Sequence, residues 1–211
     1  GAVFGGIPAE RWGRKPTLFW IGALFLICAA GSAMAPHVQA LMFFRFIGGL
    51  AVGASSVVAP MYIAEIAPQE MRGRLTAMFQ FNIVLGILIA YLSNWLIGTG
   101  AEDSWRWMLG VMAIPSVVYV ALVVFVPESP RWLISHKNRV ADARKILTEI
   151  NPATVEASLA AIQAPSSDHS SGIGHFFSGK FNFPILLAFL FAFFNQLSGI
   201  NAVIYYAPRI L

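Results

Sequence analysis

Two groups of uncharged polar residues stand inside otherwise apolar sequence. Toward the carboxyl end, Asn195-Gln196-Leu197-Ser198-Gly199-Ile200-Asn201 places three amides and a hydroxyl within seven residues, with Tyr205-Tyr206-Ala207-Pro208 just beyond. Earlier, Gln80, Ile83, Ile87, Tyr91 and Asn94 recur at 3-4-4-3 spacing. At about 100° per residue these fall on one narrow helical face, so Gln80, Tyr91 and Asn94 look into the same space. Carboxamides and hydroxyls both give and accept hydrogen bonds, as do the adjacent hydroxyls of a neutral polyhydroxylated ligand. An anionic ligand would want Arg or Lys, and neither group contains one. On a straight helix Asn195, Ser198, Asn201 and Tyr205 share a broad face and Gln196 does not. Gly199 lets the helix bend or unwind and turn Gln196 inward. For the face at 80–94 two readings fit equally, helix–helix hydrogen bonding and the wall of a hydrated cavity.

Charged residues gather in three strings: Glu10-Arg11-Trp12-Gly13-Arg14-Lys15, then Glu65 through Arg72-Gly73-Arg74, then Pro127-Glu128-Ser129-Pro130-Arg131-Trp132-Leu133. Each mixes acid and base. Exposed pairs are individually worth little, but a network at the mouth of a helix bundle latches one conformation if its charges pair in one state and separate in another. Ordinary basic loops with incidental acids give the same spacing. Arg45 is the one clear cation inside an apolar block; snorkelling to the interface and pairing with a carboxylate of another helix both fit.

These residues must be positioned by membrane helices. Of 211 residues 57% are hydrophobic and only 11% charged, with mean hydropathy +0.69; an ordinary soluble domain has about a quarter charged residues. Apolar blocks near 20 residues long run roughly over 17–35, 41–63, 75–97 and 108–126, with a fifth over 183–207. A stretch over 1–9 is too short to span and reads as the tail of a helix that starts earlier. Helices are the expected form, since lipid offers no hydrogen-bond partners to the backbone. The first, third and fifth loops hold eleven Lys and Arg against one in the second and fourth, which places the odd loops in the cytoplasm. Pro60 and Pro115 are expected to kink their helices, and Gly49-Leu50-Ala51-Val52-Gly53 permits close helix contact. Three regions are expected: a transmembrane bundle over 1–126, a cytoplasmic helical linker over 127–175, and the first helix of a further bundle over 176–211. Within the linker, Val140, Ala143, Ile146, Leu147 and Ile150 have helical spacing, Asn151-Pro152 stops that helix, and Val155, Leu159 and Ile162 form a second stripe.

Other functions lack their signatures. The net charge of +4 is scattered between apolar blocks with no basic stripe for nucleic acid. Cys28 is the single cysteine, and His37, His136, His169 and His175 lie too far apart to suggest a metal site. Gly5-Gly6 and Gly48-Gly49 pack helices and do not form phosphate loops. No cofactor is implied, and no charged catalytic group stands at membrane depth.

Taken together, Arg-Trp-Gly-Arg-Lys at 11–15, Arg45-Phe-Ile-Gly-Gly, Pro60-Met-Tyr-Ile-Ala-Glu65 to Arg72-Gly73, Pro-Glu-Ser-Pro-Arg-Trp-Leu at 127–133, Gln-Leu-Ser-Gly-Ile-Asn at 196–201 and Tyr-Tyr-Ala-Pro at 205–208 resemble the sugar porter family of the major facilitator superfamily. The resemblance covers essentially the whole chain. It implies an all-α polytopic transmembrane helix bundle, a partial major facilitator fold from the end of helix 2 to helix 7 of a twelve-helix transporter. It further implies a multi-pass protein of the plasma or inner membrane that moves a hexose or pentose by alternating access, by proton symport or facilitated diffusion, alongside the remaining helices. Gln80, Gln196 and Asn201 match the family's hexose-contacting amides, with Ile83 and Ile87 as apolar wall. Asn195 stands where the family usually has Gln, which shortens its reach. Arg14, Glu65, Arg72, Glu128 and Arg131 match the charged network that closes the inward gate, and Glu10 replaces a more usual Asp or Asn. Arg45 matches an arginine that partners an acidic residue in proton-coupled members. A transporter-like sugar sensor, and a fragment inactive by itself, are the competing readings.

Overall fold

The structure is a computed structural model that describes residues 1–68, 71–98, 103–152, 155–163 and 182–199. Among the described residues all regular structure is helical. Gly1–Gln163 forms one compact unit and Ala164–Leu211 a second. The first contains α1 (Gly6–Trp12), α2 (Arg14–Ala33), α3 (Val38–Ile66), α4 (Arg72–Ile97), α5 (Ser104–Gly110), α6 (Ala113–Phe125), α7 (Pro130–Lys137), α8 (Val140–Ile150) and α9 (Val155–Gln163). The second contains α10 (Asn182–Leu197).

Among the described residues four segments are long and apolar enough to cross a membrane: α2, α3, α4, and α5 with α6 together as Ser104–Phe125. They coincide with the first four apolar blocks. At 29 residues, α3 is about 43 Å long, more than the ~30 Å of hydrocarbon it must cross, so its end carrying Glu65 reaches past the acyl chains. The fourth span is broken at Val111-Met112. Val111 is four residues ahead of Pro115, whose ring crowds that carbonyl and offers it no N–H. The Val111 carbonyl instead accepts from the Ile114 N–H at 3.1 Å. Pro60 behaves differently, since α3 runs through it without interruption.

The α2 helix is the centre of the first unit, packed on α3, α5 and α6 with α1 at its start. Its core comprises Leu18 and Ile21 with Ala9, Val58, Tyr62 and Val123. Glycines bring the axes close: a Cβ on Gly48 would come within 2.5 Å of Cys28 Sγ, and one on Gly22 within 2.6 Å of the Tyr119 ring. In the expected small-residue pattern Gly49 faces open space, while Gly48 and Gly53 make the close contacts. By contrast, α4 buries none of its residues and touches only α3 and α5 closely among the described helices. Met78, Phe81, Val84, Leu88, Leu92 and Trp95 lie exposed along it.

At one end of this unit, α7, α8 and α9 form a small layer with its own core of Trp132, Leu133 and Ala143 backed by Ile134 and Ile146. The expected helices at 140–150 and around 155–162 are both present, and Val155 and Leu159 are buried. Asn138 ends α7 in the left-handed conformation at φ 51°, a conformation asparagine tolerates at helix ends. Exposed pairs, Arg139–Asp142 at 2.6 Å and Arg144–Glu156 at 2.9 Å, decorate the layer and add little.

Candidate functional site: an ionic knot and a polar helix face

The start of α2, the end of α3 and the segment after α6 meet at the end of the bundle where the basic loops lie. There the Arg14 guanidinium donates from Nε to Glu65 Oε2 at 2.8 Å and from Nη2 to Glu65 Oε1 at 2.7 Å. Its Nη1 donates to the Ala9 carbonyl at 3.0 Å. The Ser129 hydroxyl donates to Glu65 Oε2 at 2.6 Å. Only 8% and 9% of the two ionic side chains are exposed, and no buried side-chain polar atom among the described residues lacks a partner. A buried pair overcomes its desolvation only with such full hydrogen bonding.

The Glu128 carboxylate caps α2. It accepts from the backbone N–H of Arg14 at 2.9 Å and of Lys15 at 3.1 Å, and from the Ser129 N–H at 2.8 Å. Unsatisfied amides and the helix dipole make this a natural seat for an anion. Gly13 permits it: its φ of 108° disfavours any side chain, and a Cβ there would run into Glu128 and Trp132. The indole of Trp132 donates to the Glu10 carbonyl at 2.7 Å, and Tyr62 donates to the Pro127 carbonyl at 2.7 Å. Thus α1, α2, α3 and α7 are tied into one knot. Of the five residues in the expected charge network, the structure gathers Arg14, Glu65 and Glu128. Arg72 and Arg131 are exposed, and among the described residues neither makes an ion pair.

Several participants were not singled out by spacing. Ser129 is both the bridge to Glu65 and the N-cap of α7, its hydroxyl accepting from the Trp132 N–H at 3.3 Å. Serine followed by Pro130 at the first helical position was the legible signal. At the opposite end, Arg106 donates from Nη1 to the carbonyls of Ala33 at 3.2 Å and Ala35 at 2.8 Å. It thereby satisfies the carboxyl end of α2 while stacking over Trp105 and pairing with Asp103.

The polar face lies on α4. Gln80 and Asn94 are exposed, Ile83 and Tyr91 are about two-fifths exposed, and Ile87 is half-buried. No Asp, Glu, Lys or Arg occurs in α4 after Arg74. Asn195 and Gln196 stand in the last turn of α10; their side chains lie outside the described atoms. That helix stops at Leu197, and Gly199 takes a φ of 70°. Asn201 and Tyr205 lie outside the described residues. Arg45 is exposed on α3 about 10 Å from its start, without an ion pair among the described residues.

Known proteins resemble this chain in sequence and fold. Residues 1–211 match the family described as "Sugar (and other) transporter". The chain is 39% identical over 214 residues to the galactose-proton symporter of Escherichia coli K12, covering 100% of this chain and 45% of that protein. It is 35% identical over 213 residues to the D-xylose transporter of Levilactobacillus brevis, covering 100% and 46%. Among solved structures it superposes on the partially occluded inward open xylose transporter XylE from E. coli with a TM-score of 0.84 at 33% identity, over 100% of this chain and 52% of that one. XylE bound to 6-bromo-6-deoxy-D-glucose, described as a major facilitator superfamily proton:xylose symporter, gives 0.82 at 32% identity, over 100% and 49%. The chain spans about half the length of these relatives. With every residue matched and the fold shared, the chain belongs to the sugar transporter family, a multi-pass, all-helical membrane protein carrying part of the major facilitator fold.

Proposed function

We propose that this chain serves the transport of a monosaccharide, a hexose or pentose, across the cell membrane by alternating access. The observation that carries the reading is the α4 face: Gln80 uncovered on a membrane helix that holds no charge from Leu75 onward. An amide in that setting recognises neutral hydroxyls without the desolvation cost of an ion. Relatives named as galactose-proton and arabinose-proton symporters and as a xylose transporter support the substrate class.

In this reading 1–126 belongs to one helix bundle, 127–175 links it on the cytoplasmic side, and 176–211 begins the next. Gln80, Gln196 and Asn201 hold sugar hydroxyls, Ile83 and Ile87 lie against the ring carbons, and Asn195 makes a shorter contact. The knot of Arg14, Glu65 and Glu128 keeps its helices rigid. Arg72 and Arg131, exposed beside it, reach acids elsewhere in the protein when the cytoplasmic gate is closed. Rocking about the sugar site then exposes it to each side in turn. Proton coupling runs through Arg45 and an acidic partner; the symporter relatives support it.

Uptake of radiolabelled monosaccharides into proteoliposomes tests the proposal. The transport-competent protein should show saturable uptake, accelerated by unlabelled sugar on the opposite side and strongly reduced by Gln80→Ala. Uptake that is absent for every hexose and pentose, or indifferent to Gln80→Ala, would overturn it.

A further inference from the structure

The start of α2 and the end of α6 leave a groove of about 250 Å³, lined by Lys15, Pro16, Phe19, Trp20, Val123 and Val124. None of its lining comes from α4, the helix bearing the polar face. Phe19 and Trp20 meet edge to face at 6.3 Å, and Trp20 remains 56% exposed. Trp20 lies about 7.5 Å further along the helix than Lys15, the level at which indole rings sit between headgroups and acyl chains.

The one charge at the groove's rim is the Lys15 ammonium. It donates to the Val124 carbonyl at 2.8 Å, which leaves two of its three protons for another acceptor. The neighbouring carboxylates are already committed. Glu65 is paired with Arg14, and Glu128 accepts backbone N–H groups. Among the described residues no carboxylate pairs with Lys15. An uncompensated cation therefore stands at the rim of an apolar trough with an aromatic wall, at the end of the helix that the basic loops orient toward the cytoplasm.

We propose that this groove seats one anionic glycerophospholipid of the cytoplasmic leaflet. Its headgroup phosphate lies on the Lys15 ammonium, and an acyl chain lies along Pro16, Phe19, Trp20 and Val123. The site rests on the membrane orientation alone, so it stands or falls independently of sugar transport.

Native mass spectrometry of the purified protein, titrated with phosphatidylglycerol and with phosphatidylcholine of the same chain length, tests it. One phosphatidylglycerol should be retained in preference to phosphatidylcholine. Lys15→Gln should weaken that retention roughly fivefold, the contribution of one basic residue at an anionic surface. Inorganic phosphate should not displace the lipid. Independently, brominated phosphatidylglycerol should quench tryptophan fluorescence more than its phosphatidylcholine counterpart, and the difference should vanish in Trp20→Phe. Equal retention of the two lipids, displacement by inorganic phosphate, Lys15→Gln behaving as the parent, or quenching insensitive to Trp20→Phe would each overturn the proposal. The lipid comparison on the unaltered protein decides the matter even if a variant fails to fold.

Discussion

Arg14 grips Glu65 through two parallel hydrogen bonds of 2.8 and 2.7 Å, joining helices whose partners lie 51 residues apart in sequence. The geometry is the fork-on-carboxylate match peculiar to arginine. Removing one partner leaves a buried charge without compensation, a loss of about 3–5 kcal/mol. Arg14→Ala should therefore lower the thermal unfolding midpoint sharply, and Arg14→Lys should recover only part of it. A midpoint unchanged in Arg14→Ala would mean the pair contributes nothing to the fold.

Gly13 should be intolerant of any side chain. Its positive φ and the Glu128 carboxylate pressed against it act together. Gly13→Ala should cost more than ~1 kcal/mol, above the usual range for an exposed turn. Denaturation in urea would measure it, and wild-type stability would contradict the packing described here.

Arg131 and Arg72 should show the opposite profile. Both are exposed and unpaired among the described residues. Arg131→Gln and Arg72→Gln should change unfolding free energy by no more than about 0.5 kcal/mol yet slow sugar uptake. A large loss of stability with uptake intact would reverse the assignment of these arginines to gating.

Much of the architecture was readable because lipid imposes a length and a composition. The spans over 17–35, 41–63, 75–97 and 108–126 stand out since no other structure tolerates so little charge. The helix at 140–150 was legible because only one face of it is apolar. The break inside the fourth span was half-written in Pro115, but its place, at the carbonyl four residues earlier, follows from proline's missing N–H. Pairings were a different matter. The three charged strings pointed to one cluster, yet which arginine takes Glu65 depends on the relative register of α2 and α3. Ser129 could be read as a helix cap and not as a ligand of Glu65, because that bond spans 64 residues. Arg106 is the single basic residue counted in the second and fourth loops; its grip on the end of α2 depends on α5 lying beside that end. Gly48 rather than Gly49 makes the close approach because helix rotation, invisible in the pattern, decides which glycine faces a neighbour.

The proposed function rests on two uncharged amides, Gln80 and Gln196, each holding hydroxyls of a bound monosaccharide. Calorimetric titration of the transport-competent protein with a panel of hexoses and pentoses, for the parent, Gln80→Ala, Gln196→Ala and the double variant, tests it most directly. Each single substitution should weaken the preferred sugar about tenfold or more, since a hydroxyl left unpaired costs roughly 1–3 kcal/mol. The double variant should lose less than the product of the two, because both amides serve one ligand. Affinity unchanged by either substitution would contradict the account.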